Sequence, residues 1–404
     1  MTTDFDQLID RSGTGSNKWS TYRGGSHAGP ITPIGPDLKG DGPIPMWVAD
    51  MDFASPPPVL DALRARIDHG ILGYTHATDS YFDAVTGWFK KRHGWEVPAD
   101  WISTTPGVVP ALHFAVKTWC QPGDKVLVQR PVYYPFFRSI TNGGCEIVSN
   151  TLIEEAGVYT MDFDDLERKA ADPKVKLAIL CSPHNPIGRV WTADELRRFG
   201  EICNRHQVIV IADEIHGDLI MPGQRFQPYG QLGAAFADNA MICTAPSKTF
   251  NLAGMHLSNM VISNPELKQA YDGYMTTTGV AGGLNPLALV ACEAAYRDGE
   301  PWLADVLAYI HGNFQTLSDT LATHLPMLKP TALQGTYLAW VDFRGLGLDQ
   351  PKLEKMTQLD ARVLLDEGHV FGPEGFGFER FNLACPRPVL ALALSRLQDA
   401  IGRL

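Results

Sequence analysis

Lys248 lies in Thr244-Ala245-Pro246-Ser247-Lys248-Thr249-Phe250-Asn251, directly after the apolar run Met241-Ile242-Cys243. A lysine placed on a small-residue turn at the end of a buried strand is partly desolvated. Desolvation disfavours the ammonium form and frees the amine to act as a nucleophile. A Schiff-base lysine needs that property. Three further segments carry polar groups at the ends of apolar runs. Asn185 follows Leu177-Ala178-Ile179-Leu180, within Cys181-Ser182-Pro183-His184-Asn185-Pro186-Ile187-Gly188. Asp213 closes the run Val208-Ile209-Val210-Ile211-Ala212, and Arg380 stands in Glu379-Arg380-Phe381-Asn382 near the C-terminus.

Asn, Asp, Lys and Arg therefore occur in this order, each beside a predicted strand. In this the chain resembles the fold-type I pyridoxal-phosphate enzymes of the class I/II aminotransferase superfamily. The resemblance spans nearly the whole chain and is closest to the cystathionine β-lyase/C–S lyase (MalY/PatB-like) branch. Three segments carry it: Pro45-Met46-Trp47-Val48-Ala49-Asp50-Met51-Asp52-Phe53, Thr105-Pro106-Gly107-Val108-Val109-Pro110-Ala111 and Ala384-Cys385-Pro386-Arg387.

The resemblance implies a role for each residue. Lys248 would hold pyridoxal 5′-phosphate and, once freed by substrate, take the Cα proton. Asp213 would sit against the pyridine nitrogen and keep it protonated. Asn185 would donate to the phenolic oxygen of the ring and approach the substrate carboxylate. Tyr133 would stack on the ring, with Tyr134 the competing assignment. Gly107, Val108 and Val109 open a helix whose free N–H groups and positive dipole end suit the phosphate, and Ser247 adds a hydroxyl. Tyr74 matches a tyrosine that reaches the phosphate in the neighbouring subunit, which implies a homodimer with shared sites. Arg380 would bind the substrate α-carboxylate through a bidentate fork. Trp47 and Ala49 border the substrate pocket in the lyase branch, whereas Asp50 and Asp52 are equally well read as turn or capping residues. Two positions depart from the aminotransferase pattern. His256 replaces a phosphate-anchoring arginine and His216 replaces a tyrosine, as in the lyase branch.

These residues need elements to hold them. Strands expected at Lys125–Gln129, Cys145–Ser149, Leu177–Cys181, Val208–Ala212, Met241–Thr244 and Met260–Ser263 alternate with amphipathic helices, among them Val108–Cys120 and Ala193–His206. Strands that are apolar throughout argue for a parallel-rich sheet covered on both faces, with ligands bound outside the carboxyl ends of the strands. Beyond about residue 286 the pattern shifts to long helices, expected at Trp302–His324, Leu353–Glu367 and Pro388–Ile401, with a few strands. The fold class expected is α/β, a fold-type I transferase-like large domain with a mostly parallel seven-stranded sheet, plus a smaller α+β domain. The division expected is an N-terminal arm with part of the small domain (1–45), a large cofactor-binding domain (46–285) and a small C-terminal domain (286–404). An ordered arm needs a surface to lie on, which hints at a dimer.

With 404 residues, 45% hydrophobic and 20% charged, the chain has a globular composition, and its net charge of −11 without a basic block argues against nucleic acid or anionic membranes as partners. The acidic start lacks the apolar core of a signal peptide, so a cytoplasmic protein is expected. Seven scattered cysteines and twelve histidines show no ligand spacing, so buried free thiols and no metal site are expected. The leading reading is α,β-elimination from cystathionine, cysteine or a related S-conjugate to a thiol, pyruvate and ammonia. The alternative is an aminotransferase of an L-amino acid with a 2-oxo acid acceptor. A regulator retaining the cofactor as a relic is the third.

Overall fold

The computed structural model describes residues 3–23, 28–280 and 283–404. The larger sheet contains β1 (Ile102–Thr105), β2 (Lys125–Val128), β3 (Glu146–Ser149), β4 (Val175–Cys181), β5 (Ile209–Asp213), β6 (Ala240–Thr244) and β7 (Ser258–Val261). Their spatial order is β1-β7-β6-β5-β4-β2-β3. The pairings are parallel except those of β7, which runs antiparallel to both β1 and β6. Successive side chains of a strand point to opposite faces, and both faces here are covered. Ala178, Leu180, Val210, Ala212 and Ile242 enter one apolar layer, while Leu177, Ile179, Ile211, Met241 and Cys243 enter the other.

Helix α1 (Val108–Trp119) buries Val108, Ala111, Leu112, Ala115 and Val116, a stripe at helical spacing, into the second layer. Helix α2 (Pro135–Asn142) joins it there through Phe136 and Ile140. Helix α3 (Ala193–Arg205) covers the other face with Leu196, Phe199, Ile202 and Cys203, and Thr192 and Glu195 close its start as a capping box. In register, Asp213 lies beside Cys181 on one side and Cys243 on the other. The three parallel strands therefore end level, and whatever follows them is delivered to one edge.

The smaller sheet is antiparallel, with strands β8 (Lys329–Pro330), β9 (Leu338–Asp342), β10 (Asp366–Glu367) and β11 (Phe378–Asn382) in the order β8-β9-β11-β10. Helices α4 (Glu300–His324) and α5 (Arg387–Ile401) pack together beside it. One expected element is corrected. Leu353–Glu367 is not a continuous helix: helical structure stops at Asp360, Arg362 takes a left-handed φ of 54°, and Val363–Leu364 and β10 are strands. Val363–Leu364 pairs in parallel with Ile44–Pro45. That buried pairing overrides a local pattern that reads equally well as helix.

The arm lies on its own chain, so its order requires no second subunit. Phe5 packs edge-on against Phe53 with ring centres 5.0 Å apart. Lys18 is fully buried and its Nζ lies 2.6 Å from Asp52 and 3.8 Å from Asp50, while Arg11 reaches both acids at 2.7 Å. Asp50 and Asp52 thus anchor the arm. Without Lys18, the Asp52 carboxylate keeps Arg11 and the Trp19 indole N–H, at 2.8 Å, but loses a fully buried charged hydrogen bond. Lys18→Met is expected to lower the unfolding free energy by about 1.5–3 kcal/mol, read as a fall in denaturant midpoint. A loss of under about 1 kcal/mol would mean the pair is worth no more than a surface one.

All seven cysteines are free and buried, as expected. Among the described residues, no helix is long and apolar enough to cross a membrane.

Candidate active site

A cavity of about 280 Å³ opens at the carboxyl ends of β4, β5 and β6. Lys248 sits in the single helical turn Pro246–Thr249 that follows β6. It is part-buried in the cavity wall, yet enough protein surrounds its amine that burial lowers its pKa to about 8. The Arg380 charge lowers it further, while Asp50 and Asp213 pull the other way. Its Nζ donates to the carbonyl of Ala49 at 2.6 Å. Asp213, the last residue of β5, is 4% exposed, and burial pushes its carboxyl up to about 7. Its Oδ1 accepts from the Ile215 N–H at 3.2 Å.

Asn185 lines the same cavity and is buried. Its Oδ1 accepts from Arg380 Nη1 at 3.0 Å, its backbone N–H donates to Cys181 Sγ at 3.4 Å, and its side-chain Nδ2 makes no hydrogen bond among the described residues. Tyr133 lines the cavity too, with its N–H bonded to the Asn185 carbonyl at 3.1 Å. Tyr134 turns away, edge-on to Phe371 at 5.6 Å, into a separate cavity of about 500 Å³. Between the two tyrosines, the geometry favours Tyr133.

At the opposite wall, Gly107 adopts a φ of +135°, where an L side chain is strained, and α1 begins at Val108. No side chain caps this helix. The first-turn N–H groups of Val108 and Val109 are therefore available to an anion. Ser247 and His256 line the same cavity, His256 at its exposed margin. His216 is buried, edge-on to Tyr337 at 5.9 Å, and burial holds its pKa well below the ordinary imidazole value, so the ring is neutral.

Ala49 contributes its carbonyl, which also accepts from the Tyr337 hydroxyl at 2.8 Å. Trp47 differs from expectation. Its ring packs edge-on against Tyr22 at 5.4 Å and lines the separate 500 Å³ cavity, so only its carbonyl, bonded to Arg380 Nη2 at 2.8 Å, serves the site. Tyr74 is fully exposed and does not reach the cavity of its own chain. Arg380 is 2% exposed and also differs from expectation. Besides Asn185 and the Trp47 carbonyl it is paired with Asp366, so no edge of its guanidinium stands open as a fork.

Three contributors were not legible beforehand. Asp366 lies in a stretch whose local pattern reads as helix. Tyr337 carried no signal beyond an ordinary core tyrosine. Asn251, three residues after the lysine, clamps the Met51–Phe53 backbone: its Oδ1 accepts from Met51 N–H at 3.0 Å, and its amide donates to the Met51 and Phe53 carbonyls at 3.0 and 2.9 Å. Asn382 holds the Val48 and Asp50 carbonyls, each at 2.6 Å, and the Arg-x-Asn spacing is its only sequence signal.

The family model for aminotransferase class I and II matches residues 44–397. The chain belongs to this family. Among relatives of this aminotransferase-family chain, a Bacillus subtilis protein named cystathionine beta-lyase PatB is 41% identical over 99% of the chain and all of that protein. Protein MalY of Escherichia coli is 32% identical over 98% of each. The crystal structure of cystalysin from Treponema denticola, which contains a pyridoxal 5′-phosphate cofactor, superposes with a TM-score of 0.93 at 38% identity over the whole of both chains. The cofactor-bound C–S lyase from Staphylococcus hominis gives 0.89 at 33% identity, covering 99% of this chain and 98% of that one. The fold is that of the fold-type I pyridoxal-phosphate enzymes.

Proposed function

We propose that this chain is a pyridoxal 5′-phosphate-dependent C–S β-lyase. It converts cystathionine, cysteine or a related S-conjugate into a thiol, pyruvate and ammonia. The observation that carries the reading is one cavity holding a lysine amine of lowered pKa and a buried acid, between an uncapped helix start and an aromatic ring.

The residues fit the cofactor. Asp213 is a buried carboxyl that feels the Lys248 charge but makes no ion pair among the described residues, and a protonated ring nitrogen would supply one. The first turn of α1, with Ser247, offers N–H and hydroxyl donors to a phosphate. Tyr133 offers an aromatic face to a planar ring, and the unpartnered Asn185 amide offers a donor to its phenolic oxygen. Bound there, the cofactor supplies a covalent point of attachment for the substrate amine and a sink for the electrons left at Cα.

The chain's own residues do the rest. Lys248, with an amine half-deprotonated near pH 8, takes the Cα proton and later returns protons at the same locus. Neutral His216 lines the pocket without adding a charge that would disfavour the lysine ammonium. Arg380 and Asn185 hold the substrate carboxylate and so fix which Cα bond is presented to Lys248. Ala49, in a segment pinned by Arg380 at Trp47 and by Asn382 at Val48, is the wall residue that accepts from the amine.

The larger sheet lies within residues 102–261 and the smaller within 329–382, which supports units at 46–285 and 286–404. The pairing of Ile44–Pro45 with Val363–Leu364 supports assigning the arm partly to the second unit. Exposed Ile67, Ile71, Leu72 and Tyr74 support a homodimer in which Tyr74 completes the partner's phosphate site.

Pyruvate formed from S-substituted cysteines without any added 2-oxo acid is the deciding measurement. Strict dependence on 2-oxoglutarate would make the protein an aminotransferase, the reading its family name also allows. Arg380→Ala should raise KM for amino acids by at least about tenfold while weakening cofactor binding far less. Equal losses in both would remove Arg380 from the substrate site.

A further inference from the structure

A guanidinium presents two forked edges, one across Nη1 and Nη2 at the tip and one across Nε and Nη2 along the side. Both include Nη2. In Arg380 the two N–H groups of Nη2 are taken, one by the Trp47 carbonyl at 2.8 Å and one by Asp366. Nη1 gives one N–H to Asn185 at 3.0 Å, and Nε is buried without a partner. A carboxylate arriving from the cavity therefore finds no complete fork.

The two acceptors on Nη2 are not alike. The Trp47 carbonyl is backbone, in a segment held by Asn382 at Val48 and Asp50. Asp366 is a side chain, and its carboxylate has no hydrogen bond except to Arg380 among the described residues. Asp366 stands directly across the strand pair from Arg380, the position from which side chains meet. It also borders the 500 Å³ cavity, whose rim carries Arg23 and Arg138. A carboxylate released from Arg380 thus has space and cations to turn toward. Phe371, 4.9 Å from the guanidinium carbon, holds Arg380 in place meanwhile.

We propose that Asp366 occupies Arg380 in the substrate-free enzyme and is exchanged for the substrate carboxylate, so that Asp366 sets the affinity for amino acids. This rests on the reading above that Arg380 receives that carboxylate. Asp366 acts through Arg380 and is a positioning residue.

The test uses the cofactor-loaded enzyme and two competitive inhibitors of pyruvate release, L-alanine and L-alaninamide. Asp366→Asn keeps the shape and removes the competing charge. It should lower the inhibition constant of alanine by about three- to tenfold and move that of alaninamide much less. An alanine constant that is unchanged or higher overturns the exchange. Arg380→Ala separates the premise: an unaltered alanine constant in that variant sinks the carboxylate assignment itself. Should Asp366→Asn not fold, a crystal structure of the wild-type enzyme with alanine decides. The Asp366–Arg380 contact should be open in it, and a contact retained while alanine sits on Arg380 overturns the proposal.

Discussion

Lys248→Ala should reduce turnover by at least about a thousandfold, measured as pyruvate release under saturating substrate and cofactor. Among the described residues no other amine lines the cavity, so nothing stands in for the lost base and attachment point. The visible absorbance of covalently held cofactor should vanish, and borohydride should leave no reduced adduct at this position. The lowered lysine pKa adds a wild-type control. The amine is protonated below about pH 8 and free above it, so cofactor capture should accelerate as pH rises through that value. A variant turning over at the wild-type rate, or capture indifferent to pH, would end the assignment of Lys248.

The next largest effect is expected at Asp213. Asp213→Asn keeps the side-chain size and removes the charge that opposes a protonated ring nitrogen. Turnover should drop by about a hundredfold or more, the scale on which single electrostatic supports of a developing charge are felt. A second consequence concerns the cofactor-free protein. Burial raises the Asp213 carboxyl to about 7, so between the ordinary carboxyl range and pH 7 the folded state holds a proton that the unfolded state has lost. Stability from this group is then greatest at low pH and fades as pH rises through that window. Glu214, pushed up to about 8 by its own burial, acts in the same direction, so wild type and Asp213→Asn must be compared pH by pH. The wild type should lose more stability between pH 4 and 7 than the variant, and cofactor should restore it. Parallel stability curves would show that Asp213 does not carry the burden.

Both predictions rest on the part of the site that could be read from the chain without its structure. Asn185, Asp213 and Lys248 each follow an apolar run of strand length. Parallel strands put all such ends on one edge, so local pattern alone brings these three together. Gly107 before a helical stripe is legible for the same reason: a positive φ followed by an uncapped helix start is a local event. Composition likewise sets the scale of the core and the state of the thiols.

Long-range packing decided the remainder. Asn185 and Arg380 are 195 residues apart, one just past the end of β4 and the other on β11 of the smaller sheet, and they meet only in the folded chain. The resemblance favours Tyr133 over Tyr134, and in the fold Tyr133 lines the cavity while Tyr134 packs edge-on against Phe371. The Trp47 ring is drawn outward by Tyr22 of the arm, which leaves its carbonyl for Arg380. Residues 361–367 have a helical pattern but become strands because Ile44–Pro45 and β11 offer them buried partners. That choice alone puts Asp366 across from Arg380. Side-chain period along one strand is a property of the chain, whereas register between distant strands depends on which buried pairings give the lowest free energy, and no single segment contains that information.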